Sequence, residues 1–339
     1  MNIVFRVDAS NKVGSGHFFR CFEIASKFNN KNKIFFISEK INQNLVSMLK
    51  KKKIKLLNIP SKKNNNYEER DLKDTIDVIK KKIKKKVDLL ILDSYLLGKK
   101  WEKKITFYTK KILVIDDLDR SHDCDYYLNQ NLYINKKIDK KLNKYTKKFK
   151  GLKYCLVRYK NHEKKLIVKK PRKIKNILVF FGGADRQNLT IKLIKILSNK
   201  HFNKLNLKVV VGLNNKNYSK IIKYASKRSK TRVFYNLKSL KKHIMQSDIA
   251  ISSGGSFIWE CIFFGLPALV LNQSKNQINN SKILNKINAI KLYKNKLNNF
   301  IELKKFLKLN LMYQNFVIPR KIYNMIDGNG SQRLIKSLM

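Results

Sequence analysis

Two glycine-marked stretches near the ends of apolar runs hold the residue types that can move a proton or grip an anion. In the first, Arg6-Val7-Asp8-Ala9-Ser10 is followed by Gly14-Ser15-Gly16-His17-Phe18-Phe19-Arg20-Cys21. Glycines let backbone approach a ligand closely, and the helix expected next would aim unpaired N–H groups and its positive dipole end at that ligand. His17 falls at this helix start, where the imidazolium is disfavoured and the neutral ring can accept a proton. A histidine that merely caps or packs in its helix would give the same local pattern.

Further carboxylates close two more apolar runs, as Asp93-Ser94-Tyr95 and as Asp116-Asp117-Leu118-Asp119-Arg120. Residues at strand ends of an open α/β sheet face the ligand crevice, so these side chains are placed to reach a substrate. Clustered carboxylates also suit magnesium. Arg120 supplies a counterion and Asp-initiated turns are common, so a structural turn is expected at 116–120 and no metal.

The second half carries Phe181-Gly182-Gly183-Ala184-Asp185 with Asn188 one turn later, then Ser252-Ser253-Gly254-Gly255-Ser256 leading into Trp259-Glu260-Cys261. Two strand–glycine–helix turns offer backbone donors for a diphosphate, and neither has the spacing or the Lys-Ser/Thr of a Walker A loop. Glu260 lies four residues into its helix and can accept from ribose hydroxyls. Asn272-Gln273 and Asn276-Gln277 offer amides to a sugar.

The elements that must position these residues alternate between short apolar runs and longer amphipathic ones, the pattern of parallel strands joined by helices. Strands are predicted at 3–7, 33–37, 54–59, 88–92 and 112–115, and again at 177–181, 207–211, 232–235, 249–252 and 268–271. Helical periodicity fills the intervals. A Lys-rich stretch at 161–175, with Pro171 and no steady period, is the predicted linker. It separates a first domain, 1–160, from a second, 176–318, and 319–339 is expected to pack back on the first. Two such α/β domains would face each other across a central cleft.

Composition supports a globular chain: an apolar share of 43% with 19 Phe and 15 Tyr is more than disordered sequences carry. The formal charge of +53 would fit a polyanion partner, yet the lysines are spread over nearly every segment instead of gathering on one face. No specific nucleic acid is therefore expected. Cys21, Cys124, Cys155 and Cys261 form no C-x-x-C pair, which argues against a zinc site or a disulfide framework. No signal peptide and no transmembrane segment are read from the chain, so a cytoplasmic location is expected. Oligomeric state leaves no signal.

Taken together, the motifs resemble the UDP-2,4-diacetamido-2,4,6-trideoxy-β-L-altropyranose hydrolase family of pseudaminic acid biosynthesis, which is similar in fold to the GT-B glycosyltransferases. The resemblance runs through R-x-D-A-S, G-x-G-H-x-x-R, D-x-Y, DDL-x-DR, Leu156-x-Arg158, GG-x-D-x-x-N, S-x-G-G-S with Trp259-Glu260, N-Q, and Asp327-Gly328-x-Gly330-x-x-Arg333. It implies an α/β, GT-B-like fold and a reaction that cleaves the sugar C1–O bond with water, releasing UDP with inversion and needing no cofactor. By the same resemblance His17 and Tyr95 are catalytic, Glu260 binds ribose, and Asn276 and Gln277 form the amide pair. Arg6, Asp8, Gly14, Gly16, Arg158, Gly182, Gly183, Asp185, Asn188, Gly254, Gly255 and Ser256 fall in motifs that would line the UDP-sugar. Ser94 departs from the family, where a His often precedes the Tyr, and a serine hydroxyl does not relay a proton as an imidazole does. The competing expectations are a GT-B glycosyltransferase with an acceptor, and a basic nucleic-acid or membrane-surface binding protein.

Overall fold

Alternation along the first strand, β1 (Asn2–Val7), sorts its side chains between two helical layers. Ile3, Phe5 and Val7 point into a core with Phe18, Cys21 and Ile24 of helix α1 (Gly16–Ala25). Val4 joins a separate core with Leu72, Trp101 and Ile105. A strand covered on both faces must be apolar almost throughout, which is why this one is legible as a run.

The computed structural model describes residues 1–9, 15–60, 66–132, 136–164, 173–312 and 317–339. They divide into two units, Met1–Arg158 with Asn329–Met339, and Tyr159–Gly328. In the first unit β1 and α1 are followed by β2 (Lys33–Ser38), α2 (Gln43–Lys51), β3 (Lys55–Asn58), α3 (Tyr67–Val78), β4 (Leu89–Asp93), α4 (Lys99–Ile105), β5 (Ile112–Ile115), β6 (Tyr126–Asn129) and β7 (Lys147–Lys150). The strands pair in parallel in the order β3-β2-β1-β4-β5-β6-β7. Strand order reverses between β1 and β4, so their carboxyl ends open a crevice in this sheet.

The second unit repeats the plan with β8 (Asn176–Phe180), α5 (Leu189–Leu197), β9 (Asn206–Val211), α6 (Tyr218–Ser226), β10 (Thr231–Tyr235), α7 (Lys241–Met245), β11 (Ile249–Ser252), α8 (Phe257–Phe263), β12 (Ala268–Val270), α9 (Lys275–Lys286), β13 (Lys291–Leu292), α10 (Phe300–Met312) and α11 (Arg320–Met325). Its parallel order is β10-β9-β8-β11-β12-β13, with the reversal between β8 and β11.

A last helix, α12 (Gly330–Leu338), returns to the first unit, where Leu334 and Ile335 enter the core and Ser331 Oγ donates to Glu23 Oε1 at 2.8 Å. The returning segment starts at Asn329 and not at 319 as the sequence suggests, because α11 packs on α8 of the second unit. Of the expected linker, 165–172 lies outside the described residues, and Lys164 stacks over Tyr323 and Phe263 of the second unit. All four cysteines are buried, and among the described residues none forms a disulfide. Among the described residues no helix is long and apolar enough to cross a membrane.

Candidate active site

The reversal in the first sheet brings together two sequence-distant segments. Val7 and Asp93 are register partners on β1 and β4, so the residues that leave these strands meet at one edge of the crevice. His17, in the first turn of α1, places Nδ1 2.5 Å from Asp93 Oδ1, and both side chains are buried. Burial alone would raise the Asp93 pKa, but Arg20 and His17 outweigh it and hold the carboxyl below its ordinary range. The proton between the two therefore sits on Nδ1, which donates to Asp93 and leaves Nε2 as the basic nitrogen. Arg20 Nη2 lies 3.0 Å from the same Nδ1, but both can only donate, so its bond goes to Asp93 Oδ1 at 2.8 Å.

Tyr95 follows two residues after Asp93 and packs edge-on against His17, with ring centroids 4.5 Å apart. Its hydroxyl donates to Asp117 Oδ1, while Arg20 Nη1 reaches Asp117 Oδ2 at 3.1 Å. Burial and the neighbouring Asp117 push the Tyr95 phenol well above its usual pKa, Arg20 opposing them, so it acts as a hydrogen-bonding group. Arg120 clamps the backbone that carries this tyrosine. Its guanidinium donates to the carbonyls of Ser94 at 2.8 Å and of Tyr95 and Leu97 at 3.1 Å, and pairs with Asp116 at 2.8 Å. The opposite side of Asp116 meets His122, whose Nδ1 bonds Glu102 Oε1 at 2.7 Å and whose Nε2 lies 3.5 Å from Asp116 Oδ2, an electrostatic contact without hydrogen-bond geometry. The carboxylates at 116 and 117 are thus engaged by Arg120, His122, Tyr95 and Arg20.

Sequence reading places His17 and Tyr95 in the site but does not single out Asp93, Arg20 and Asp117 as their partners. The usable signal was an acidic residue closing an apolar strand beside the first one. Arg6, expected near the ligand, turns inward. It shares the even-numbered face of β1 with Val4, is fully enclosed, and spends its donors on Asp71, Asp8, Tyr67 and the Ile37 carbonyl. It fixes Asp8, which also accepts from Ser38 Oγ and the Glu39 N–H. Gly14 lies outside the described residues, and Gly16 opens α1. Arg158 stacks over Phe19 at 4.6 Å, half-buried beside α1.

In the second unit the turns after β8, β11 and β12 are tied together. Gln273 Nε2 donates to the Phe181 carbonyl at 3.1 Å, its N–H to Gln277 Oε1 at 2.9 Å, and Ser252 Oγ to the Phe180 carbonyl at 2.7 Å. The turn after β8 is closed by Asp185. Asp185 is buried and its carboxylate takes the N–H groups of Leu189 and Thr190, each at 2.9 Å, so these α5 donors are filled from within the chain. Gly182 is needed for its positive φ of 80°, and Gly212 must be glycine because a β-carbon there would overlap the backbone of Gly182 and Gly183. Asn188, exposed at the start of α5, accepts from Asn217 Nδ2 at 2.6 Å.

The turn after β11 differs. A β-carbon on Gly254 would collide with Ser281 Oγ and Asn272 Oδ1, whereas one on Gly255 would meet nothing closer than 3.8 Å, with Gln277 Nε2 beside it. Gly255 and the exposed Ser256 therefore present open backbone at the start of α8. Glu260, one turn on and half-buried, accepts from Tyr159 Oη at 3.0 Å. Asn276 Oδ1 accepts from Ser274 Oγ in the first turn of α9.

Residues 177–316 match the glycosyltransferase family 28 C-terminal domain. The chain is 28% identical over 297 residues to an uncharacterized protein of Methanocaldococcus jannaschii, a match that spans 82% of this chain but only 57% of that protein. It is 24% identical over 280 residues to the UDP-2,4-diacetamido-2,4,6-trideoxy-beta-L-altropyranose hydrolase of Campylobacter jejuni, over 82% of this chain and 93% of the hydrolase. Among solved structures it is similar to MurG of Acinetobacter baumannii, with a TM-score of 0.61 and 13% identity over 100% and 99% of the two chains. The MnaA protein of S. aureus solved with UDP gives 0.63 and 14% over 98% and 94%. These likenesses show the fold, which is GT-B-like: two parallel sheets with alternating strands and helices.

Proposed function

We propose that the chain hydrolyses UDP-2,4-diacetamido-2,4,6-trideoxy-β-L-altropyranose, or a closely related UDP-diacetamido sugar, at the sugar C1–O bond. The observation that carries this reading is the His17–Asp93 pair at the reversal of the first sheet, supported by the likeness to the Campylobacter hydrolase. Asp93 fixes the tautomer that leaves Nε2 basic, so His17 takes a proton from water as its oxygen bonds to C1. The C1–O bond breaks with its electron pair on the UDP oxygen, a leaving group good enough that positioning the water and stabilising diphosphate charge are the main needs. On this reading Tyr95 touches the sugar, the open backbone at Gly255 and Ser256 meets the diphosphate, Glu260 takes ribose hydroxyls, and Asn276 and Gln277 serve the bound sugar.

The match of 177–316 to a glycosyltransferase domain favours a second reading, in which an acceptor hydroxyl replaces water. One experiment separates them. With UDP-diacetamido sugar and ¹⁸O-water but no acceptor, the hydrolase releases stoichiometric UDP and carries the label at C1 of a free sugar of inverted anomeric configuration. Turnover that waits for an added acceptor would establish transfer instead, and label in UDP would disprove C1 attack.

A further inference from the structure

Glu260 has a flexible side chain that must meet a ligand in one pose, and the structure supplies a device that orders it. Tyr159 is buried, its ring stacked on Phe263 at 5.9 Å and edge-on to Phe264 at 4.7 Å. Its hydroxyl donates to Glu260 Oε2 at 3.0 Å and lies 3.5 Å from Ser239 Oγ. The tyrosine backbone is fixed as well. Gly328, at a φ of 77°, presses against the Tyr159 carbonyl so closely that a β-carbon there would overlap it. Ring and backbone are thus both held, and the hydroxyl has one position to offer.

We propose that Tyr159 is a positioning residue for nucleotide recognition, its hydroxyl locking the Glu260 carboxylate in the orientation that receives ribose. A glutamate side chain loses rotamer freedom when it is ordered, and a carboxylate already ordered by a fixed donor loses less on binding. The same contact gives a reason for Gly328 in the terminal Asp327-Gly328-x-Gly330 motif, because only glycine lets the chain approach Tyr159 this closely. The inference rests on Glu260 being the ribose acceptor, and the experiment keeps the two claims apart.

Calorimetric titration with UDP of the full chain, Tyr159→Phe, Glu260→Ala and the double variant provides the test. Glu260→Ala is expected to weaken UDP by about tenfold or more, and Tyr159→Phe by roughly three- to tenfold. If Tyr159 acts only through Glu260, the double variant binds as Glu260→Ala does. Tyr159→Phe should also narrow the preference for UDP over 2′-deoxy-UDP, which a merely structural tyrosine would not do. Wild-type affinity in Tyr159→Phe, an equal loss in the Glu260→Ala background, or equal weakening of both nucleotides would overturn the proposal. Unchanged affinity in Glu260→Ala would instead remove the ribose reading on which it stands.

Discussion

His17 and Asp93, separated by 76 positions, are joined by a 2.5 Å bond between Nδ1 and Oδ1 at the point where the first sheet reverses its strand order. Parallel pairing of β1 with β4 makes the contact possible, since each residue follows or ends a strand whose carboxyl end faces the same crevice. Arg20 then braces the pair by bonding both Asp93 and Asp117. A histidine that only filled space in its helix would need neither the buried carboxylate nor the arginine behind it.

The two glycines after β11 should respond differently to the same methyl group. Gly255→Ala adds a β-carbon that meets only ordinary van der Waals contacts at 3.8 Å, with Gln277 Nε2 and Ser253 Oγ, so melting temperature should stay within a few degrees of wild type. If the diphosphate rests on this turn, UDP affinity should fall about tenfold or more. Gly254→Ala forces Ser281 and Asn272 to move and should lower stability by about 1–3 kcal/mol. Equal UDP affinity in Gly255→Ala and wild type would move the diphosphate away from this turn.

Two neighbouring glycines with opposite surroundings look alike in one dimension, and the same holds for other parts of the chain. Runs such as Ile112–Ile115 and Ile249–Ser252 are buried on both faces and stand out as apolar. Strand β7 did not, because Lys147–Lys150 has one buried side chain, Phe149, at a sheet edge and reads as a charge run. Strand β6, only Tyr126–Asn129, is paired on both sides by β5 and β7 yet carries a Tyr-Tyr-Leu-Asn sequence that makes no apolar run. The candidate residues show the same division: His17, Tyr95 and Glu260 are nameable as candidates from motif, but whether a polar residue faces outward or into the protein depends on strand parity and helix capping. Arg6 pairs inward because β1 alternates, and Asp185 turns back to cap α5, neither of which a one-dimensional motif reveals.

Activity should survive excess chelator. Asp116 is held by Arg120 and His122, and Asp117 by Arg20 and Tyr95, so these carboxylates already have cationic or hydrogen-bonding partners. Turnover of UDP-sugar should be the same within twofold before and after EDTA treatment. Complete loss with EDTA and recovery with magnesium would assign the 116–119 turn to a metal.

Stability should decline from neutral to alkaline pH through His122. Burial opposes charging this ring, but Asp116 and Glu102 outweigh burial and raise its pKa from 6.5 to about 9. The folded chain therefore binds this proton more tightly than the unfolded chain. The resulting stabilisation, on the order of 3 kcal/mol, is complete below about pH 6.5 and disappears as pH rises through about 9. Asp116 works in the opposite direction, its carboxyl held below the usual range, so its contribution is lost on acidification. Urea unfolding at pH 6.5, 8 and 9 should show the decline in wild type and a flatter profile in His122→Gln. Parallel profiles for the two proteins would show that His122 carries no such charge.

If His17 is the base, His17→Asn should lower kcat by about 10²–10⁴-fold and leave UDP affinity nearly intact, because water activation is needed in the transition state and not in ground-state binding. Asp93→Asn should produce a loss of similar size, since an amide no longer fixes the tautomer that leaves Nε2 basic. It should also lower melting temperature, because Arg20 loses its buried partner. Residues that act as one unit are not additive, so the double variant should turn over no more slowly than the worse single variant. A packing role predicts the reverse pattern: His17→Asn would lose stability, keep kcat within a few-fold, and add to the effect of Asp93→Asn. Melting temperature, kcat and UDP affinity measured on the same three preparations distinguish these outcomes, and a stable His17→Asn with near-normal turnover would remove His17 from the mechanism.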